Sequence, residues 1–425
     1  MLLLDKMLAR VIKTGRLEVI DAGGQHHVYE GAPGVRVTVR LKDPALHHKL
    51  FLNPELHAGE AYMDGRLVVE QGSIRDFLTL FVENRGGFRG HPLQKLVRGT
   101  AKKFKRLVQK NSISKSRSNV RHHYDLSNDF YRLWLDADML YSCAYFASPD
   151  ITLEQAQQDK LRHIAAKLDL KPGQRVLDIG CGWGAMALYL AAVADVTVVG
   201  VTLSTEQLAY ARGEALKRGL ADRVTFELTD YREVKGPFDR IVSVGMFEHV
   251  GIGQFDAYFG KIKELLTSDG VALVHSIGRK GGPGQTGAWI RKYIFPGGYS
   301  PALSETLQSI ERAGLWVTDI EILRLHYAKT LRIWEERFQA HRSEITSMMD
   351  EKFCRMWEFY LIISELSFSH GKHMNFQVQL TKDVHAAALT RDYMFERERK
   401  DLISPSGSFS RGEATRWYAS LNIGN

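Results

Sequence analysis

Cysteine is scarce in this chain: Cys143, Cys181 and Cys354 are the only ones among 425 residues. An odd count without paired spacing implies neither a disulfide framework nor a cysteine-built zinc site. Long apolar runs are absent as well. No stretch approaches the ~20 residues that a membrane-spanning helix needs. Met1-Leu-Leu-Leu-Asp5 is too short and too soon broken for a signal peptide. A cytoplasmic location is expected. Acids are missing from one long region, since residues 85–124 hold twelve Lys and Arg and no Asp or Glu. Against a formal net charge of +8, the rest of the chain is therefore net acidic. Within that region Leu93, Leu96, Val97, Phe104, Leu107 and Val108 recur at helical spacing, with Lys95, Arg98, Lys102, Lys103, Lys105 and Arg106 around them. Such a basic amphipathic helix suits an anionic membrane surface, where each cation contributes about 1 kcal/mol. Its apolar stripe could equally pack on its own protein. Aromatic interleaving for base stacking is lacking, which argues against nucleic acid as a partner.

What is present describes an ordinary globular protein, 44% hydrophobic and 25% charged, long enough for two cores. Residues 1–84 mix β-like runs (Val35 to Leu41, Arg66 to Val69) with turn clusters and a helix at Ile74 to Glu83 led by Ser73. They read as a small α+β domain. Residues 85–122 form a basic linker. From Leu153 helices and strands alternate, with strands expected at 175–180, 196–202, 223–229, 239–244 and 270–276. That is the pattern of an α/β, doubly wound, Rossmann-like sheet, placed in a domain spanning 123–395. Residues 281–300 read as a glycine- and aromatic-rich insertion over an active site, 330–375 as a long helical region, and 396–425 as a polar, poorly ordered tail.

The densest signal is Arg175-Val-Leu-Asp-Ile-Gly-Cys-Gly-Trp-Gly184, a buried strand that breaks into a glycine loop and runs into an apolar helix. Gly180 and Gly182 allow close backbone approach, and the helix start offers free N–H groups to a nucleotide-like ligand. Gly180, Gly182 and Ala185 also satisfy the loose dinucleotide pattern, so a dehydrogenase has to be weighed. Two features oppose it: Asp178 lies inside the strand, and the next strand ends in Thr202-Leu-Ser204 without an acid for a nicotinamide ribose. The loop reads as an S-adenosylmethionine site.

Several further strings narrow the reading: Arg121-His-His-Tyr-Asp-Leu-Ser-Asn-Asp129, Met139-Leu-Tyr-Ser-Cys-Ala-Tyr145, Val199-Gly-Val-Thr-Leu-Ser204, Val244-Gly-Met-Phe-Glu-His-Val-Gly251 and Trp289-Ile-Arg-Lys-Tyr-Ile-Phe-Pro-Gly297. Together with the glycine loop they resemble the cyclopropane-fatty-acyl-phospholipid synthase family, densely over about 120–380 and more loosely at Leu56 to Gly65. The resemblance implies a class I methyltransferase fold and a methylene transfer from S-adenosylmethionine to a cis double bond of a membrane phospholipid chain. In it a carbocation forms, the transferred methyl loses a proton and the ring closes, with bound bicarbonate as the base. An olefin is a poor nucleophile, so a dry, aligned pocket is required.

Carried over residue by residue, Glu248 and His275 match the bicarbonate-holding acid and imidazole. Cys143, Ile277 and Tyr327 complete the cradle, the first two chiefly through backbone groups. Tyr141 and Ser142 match the segment closing over the cofactor. Asp178, Gly180, Gly182, Thr202, Leu203, Ser204 and Gln207 follow along the first two strands, and Asp230 and Tyr231 fall where adenine is gripped. A nucleophilic role for Cys143 would need a lowered thiol pKa, for which the sequence shows no cause. Many members carry a cysteine in the C-terminal helix; the matching position here is Ser364, and Cys354 reads as core. The implied setting is the inner membrane face, with residues 1–84 as a lipid-engaging domain, unsaturated phospholipid as partner and a homodimer held open. Two alternatives stand beside this reading. One is a methyl- or methylene-branching enzyme of the same family, and the other a non-catalytic lipid-binding protein that has kept the fold.

Overall fold

A computed structural model describes residues 1–86 and 126–399. The basic stripe at 93–108, the Arg121–Asp125 part of the first string and the tail beyond residue 399 lie outside the described residues.

The N-terminal unit opens with a helix at Leu2–Val11 and carries β1 (Thr14–Ile20), β2 (His26–Glu30), β3 (Ala32–Leu41) and β4 (Leu67–Gln71) in the order β2-β1-β3-β4. Helices at Leu46–Leu52, Pro54–Met63 and Ile74–Glu83 complete it. The last begins where the sequence predicts: Ser73 and Asp76 form a reciprocal capping box that satisfies two otherwise orphaned N–H groups. This unit is not a core of its own. Leu17, Val39 and Phe77 belong to one apolar cluster with Trp289, Trp334, Trp357 and Phe359 of the C-terminal half. Polar contacts reinforce the seam, as Arg75 pairs with Glu335 at 3.0 Å and Glu365 at 2.5 Å, and the Tyr62 hydroxyl donates to Glu358 at 2.7 Å.

The larger sheet has seven strands in the order β10-β11-β9-β8-β5-β6-β7. Here β5 is Arg175–Ile179, β6 Thr197–Thr202, β7 Val224–Leu228, β8 Phe238–Val244, β9 Leu266–Arg279, β10 Trp316–Leu323 and β11 His373–Thr381. Strands β5 to β9 run parallel, so their carboxyl ends share one edge, while β11 is antiparallel to both β9 and β10. Alternation along β5 explains the layering. Val176 faces a core built with the Leu153–Leu168 and Ala185–Val193 helices, and Leu177 faces one built with the Phe255–Leu265 helix. Two expectations are corrected. The region read as helical over 330–375 comprises helices at His326–Ala340, Arg342–Met348 and Glu351–Ser369 followed by β11, and the head of the expected tail is part of a helix at Asp392–Arg399. Strand β11 escapes a periodicity reading because both of its faces are covered and it buries Asn375, Gln377 and Gln379 among its apolar residues.

Candidate active site

Every parallel strand delivers residues to the same edge. After β5 the chain turns through Gly180 at φ +81° and Gly182 at φ +56°, left-handed conformations that favour glycine. A methyl on Gly182 would meet nothing within 4 Å, so this backbone borders open space. The Ala185–Val193 helix starts from Gly184 with no side-chain cap. Its Ala187 N–H favours the charged form of Asp178, yet burial outweighs this and pushes the carboxyl up to about 7. Oδ2 of Asp178 is buried without a hydrogen-bond partner.

These groups line a cavity of about 180 Å³ that also takes in Tyr141, Ser142, Thr202, Leu203, Gln207, Asp230 and Tyr231. All but one of the cofactor residues expected from sequence thus converge there. The exception is Ser204, which is buried and whose Oγ caps the next helix by accepting the Gln207 N–H at 3.3 Å, so its side chain does not face the cavity. Asp230 lines it with a carboxylate already clamped by Arg232, through Nε at 2.8 Å and a terminal nitrogen at 2.7 Å.

A second cavity, about 240 Å³, adjoins the first through the common walls Tyr141, Ser142, Gly245 and His249. It gathers the expected catalytic set: Cys143, Glu248, His275, Ile277 and Tyr327, and also Ser364. Glu248 follows β8 on a short 3-10 turn, and its Oε1 accepts the Ile277 backbone N–H at 2.5 Å. That N–H is therefore committed to orienting Glu248. Burial pushes the Glu248 carboxyl up to about 7, against the pull of Ile277 and Ser276. Its Oε2 has no hydrogen-bond partner. Cys143 is buried and its thiol is pushed up by desolvation, which is the reverse of an activated nucleophile. Cys354 is buried away from both cavities, against Thr346.

His275 is held from β11, which sequence reasoning missed. In register, Gln377 opposes His275 and Asn375 opposes Ile277. Burial pulls the imidazole down to about 3, so it is neutral near pH 7. Lys167 Nζ donates to Gln377 Oε1 at 2.8 Å, which leaves the Gln377 amide to donate to His275 Nδ1 at 3.2 Å. Nδ1 is thereby the acceptor and Nε2 carries the proton. Asn375 Nδ2 lies 3.2 Å from Nε2 while its Oδ1 has no partner among the described residues, so a proton on Nε2 calls for the Asn375 amide to be turned with Oδ1 toward it.

A third cavity, about 490 Å³, lies between the N-terminal sheet and the Glu351–Ser369 helix. Leu8, Val39, Leu67, Phe77, Trp289 and Phe359 make its walls almost wholly apolar. Glu55, Ile290, Ile363 and Ser367 border both it and the second cavity. The three spaces lie in series. Among the described residues no helix is long and apolar enough to cross a membrane, and no cluster of side chains could hold a metal ion.

Residues 111–378 match the family described as mycolic acid cyclopropane synthetase. The chain belongs to that family. It is 41% identical over 327 residues to the cyclopropane-fatty-acyl-phospholipid synthase of Escherichia coli, covering 76% of this chain and 82% of that protein. Among solved structures, the cyclopropane synthase MmaA2 of Mycobacterium tuberculosis matches with TM-score 0.59 and 36% identity over 62% of this chain and 97% of its own. The mycolic acid cyclopropane synthase CmaA1, complexed with SAH and CTAB, matches with TM-score 0.59 and 35% identity over 62% of this chain and 97% of its own.

Proposed function

We propose that the protein is an S-adenosylmethionine-dependent enzyme that transfers a methylene group to the cis double bond of unsaturated phospholipid acyl chains, forming cyclopropane fatty acids. The observation that carries this reading is the serial arrangement of the cavities: a polar, glycine-floored one, a small one with an acid and an imidazole, and a large apolar one. Family membership and the named relatives support the same reaction class.

The open space over Gly182 and the unpartnered Asp178 oxygen fit S-adenosylmethionine, which supplies an activated methyl on a sulfonium. Tyr141 and Ser142 would wall its reactive end. Apolar walls of the third cavity would take the acyl chain, whose CH₂ groups each contribute about 0.8 kcal/mol when removed from water. In the second cavity Glu248 offers an unpartnered acceptor and His275 an N–H donor, a pair complementary to bicarbonate, which has both O–H and oxyanion. Bicarbonate would supply the proton acceptor there, with Tyr327 and Cys143 closing the cradle. The chain's own task is to exclude water and align the groups. Contact with the inner membrane face is assigned to the basic stripe at 93–108, from its sequence pattern alone.

The deciding experiment is expression in a host lacking cyclopropane lipids, followed by mass spectrometry of total fatty acids. A gain of one CH₂ with loss of the olefin signal is expected. Unchanged fatty acids would overturn the reading, and a CH₂ gain with the olefin or a branch retained would assign the branching reaction instead.

A further inference from the structure

The Leu153–Leu168 helix is polar in composition yet buries Gln157, Lys160, His163 and Lys167. Lys160 is the unusual one. It has no exposure to solvent, it borders the glycine-floored cavity, and its Nζ donates to the Ser142 hydroxyl at 2.8 Å. An ammonium has three protons to place, and this is its one hydrogen bond among the described residues. Among the described residues no carboxylate lies within ion-pairing distance of it, although neighbouring Lys167 pairs with Glu321. The acid that favours its charge most, Asp136, is turned to the backbone and accepts the N–H groups of Asp138 at 3.1 Å and Leu140 at 3.0 Å. A buried cation left so thinly matched costs several kcal/mol, which a bound anion would relieve.

The same cavity presents the opposite charge. Asp178 lines it with a buried oxygen that has no partner. A site with one thinly matched cation and one carboxyl that keeps a free oxygen is complementary to a zwitterion. The amino-acid end of S-adenosylmethionine is one. We propose that Lys160, together with the Ser142 hydroxyl, seats the α-carboxylate of the methionyl group, and that Asp178 faces its α-ammonium. This rests on the cofactor reading of the cavity. Gln157 prepares the seat, since its amide donates to the carbonyls of Leu140 at 3.0 Å and Ser142 at 3.2 Å and fixes the segment that carries the hydroxyl.

The test compares ligands with and without the carboxylate, by calorimetry. Parent protein should bind S-adenosylmethionine at least about 30-fold more tightly than decarboxylated S-adenosylmethionine, the scale of a lost charge-assisted hydrogen bond. This measurement needs no variant. Lys160→Met should lose at least about 30-fold in affinity for S-adenosylhomocysteine. Its affinity for 5′-methylthioadenosine, which lacks the amino-acid end, should change less than about 3-fold, within the scatter of such comparisons. Equal parental affinity for the carboxylated and decarboxylated ligands overturns the proposal. So does a variant that weakens both thioethers alike, since Lys160 would then only brace the Ser142 segment. Parent protein that binds none of these ligands would instead overturn the cofactor reading itself.

Discussion

Glu248, which lines the second cavity, and Ile277 are joined by a single hydrogen bond, 2.5 Å from the Ile277 N–H to Oε1, which leaves the other carboxylate oxygen buried without a partner among the described residues. Because burial raises this carboxyl to about 7, its ionised, accepting form grows in as pH rises through that value. Turnover is expected to rise through pH about 7. Glu248→Gln should cut turnover by about 10²-fold, the usual scale for lost acid–base machinery, and remove that limb. The stability sign follows from the same shift. A pKa raised from 4.5 to about 7 on folding favours the fold below 4.5, and that advantage is lost as pH rises through 7. Glu248→Gln should therefore gain about 3 kcal/mol on the parent between pH 4.5 and 8, read by denaturant titration. An equal difference at both pH values would contradict the assignment.

The open space over Gly182 makes a sharp prediction. Gly182→Val puts a branched side chain where the ligand would lie and forces it into φ +56°. Calorimetry should show S-adenosylhomocysteine binding by the parent, none by the variant, and no NAD binding by either. Comparable NAD affinity in the parent would return the dehydrogenase reading.

His275 owes its tautomer to Gln377, which is itself oriented by Lys167. Gln377→Glu keeps shape but presents an acceptor to Nδ1, which should move the proton from Nε2 to Nδ1. Turnover should fall about 10²-fold or more, as when a catalytic imidazole is held in the wrong tautomer. Affinity for S-adenosylhomocysteine should stay within about 3-fold, since neither residue borders the cofactor cavity. Nitrogen NMR of the imidazole reports the tautomer directly, and an unmoved proton with full turnover would refute the relay.

Membrane contact is tested on the basic stripe. Replacing Lys102, Lys103, Lys105 and Arg106 by Gln should cost about 2–4 kcal/mol of adhesion to anionic vesicles at low salt, and less at high salt. Turnover on dispersed short-chain lipid should persist. Sedimentation with vesicles equal to that of the parent would make the stripe an internal packing face.

What the sequence reveals and what it hides divides along physical lines. The glycine loop and the five parallel strands are legible because turn chemistry and apolar runs are local, and Ser73 with Asp76 marks a helix start as plainly. Strand β11 is hidden because Asn375, Gln377 and Gln379 look like solvent-facing residues, whereas β9 and β10 flank them. Lys160 is hidden for a related reason. In Leu153–Leu168 it reads as one more surface lysine, and only its place among the buried Leu161, Ile164 and Ala165 could have signalled it. Ser204 differs in the other direction: the resemblance places it in the cofactor run with Thr202, whereas a serine just before a helix serves as its cap.

Tyr141 and Ser142 form a partition between two cavities, and the partition is held from both sides: Gln157 and Lys160 grip it on one helix, while Thr330 on another accepts the N–H of Ala144, two residues beyond Ser142. A wall shared in this way couples its two occupants thermodynamically. If an occupant of the first cavity tightens the partition, the second cavity is better formed for its own ligand, and linkage requires the benefit to be mutual. The kinetic counterpart is an order of events, in which spent cofactor leaves most readily once the lipid chain has withdrawn. Slow steps of turnover then belong to the partition as much as to the chemistry beside it.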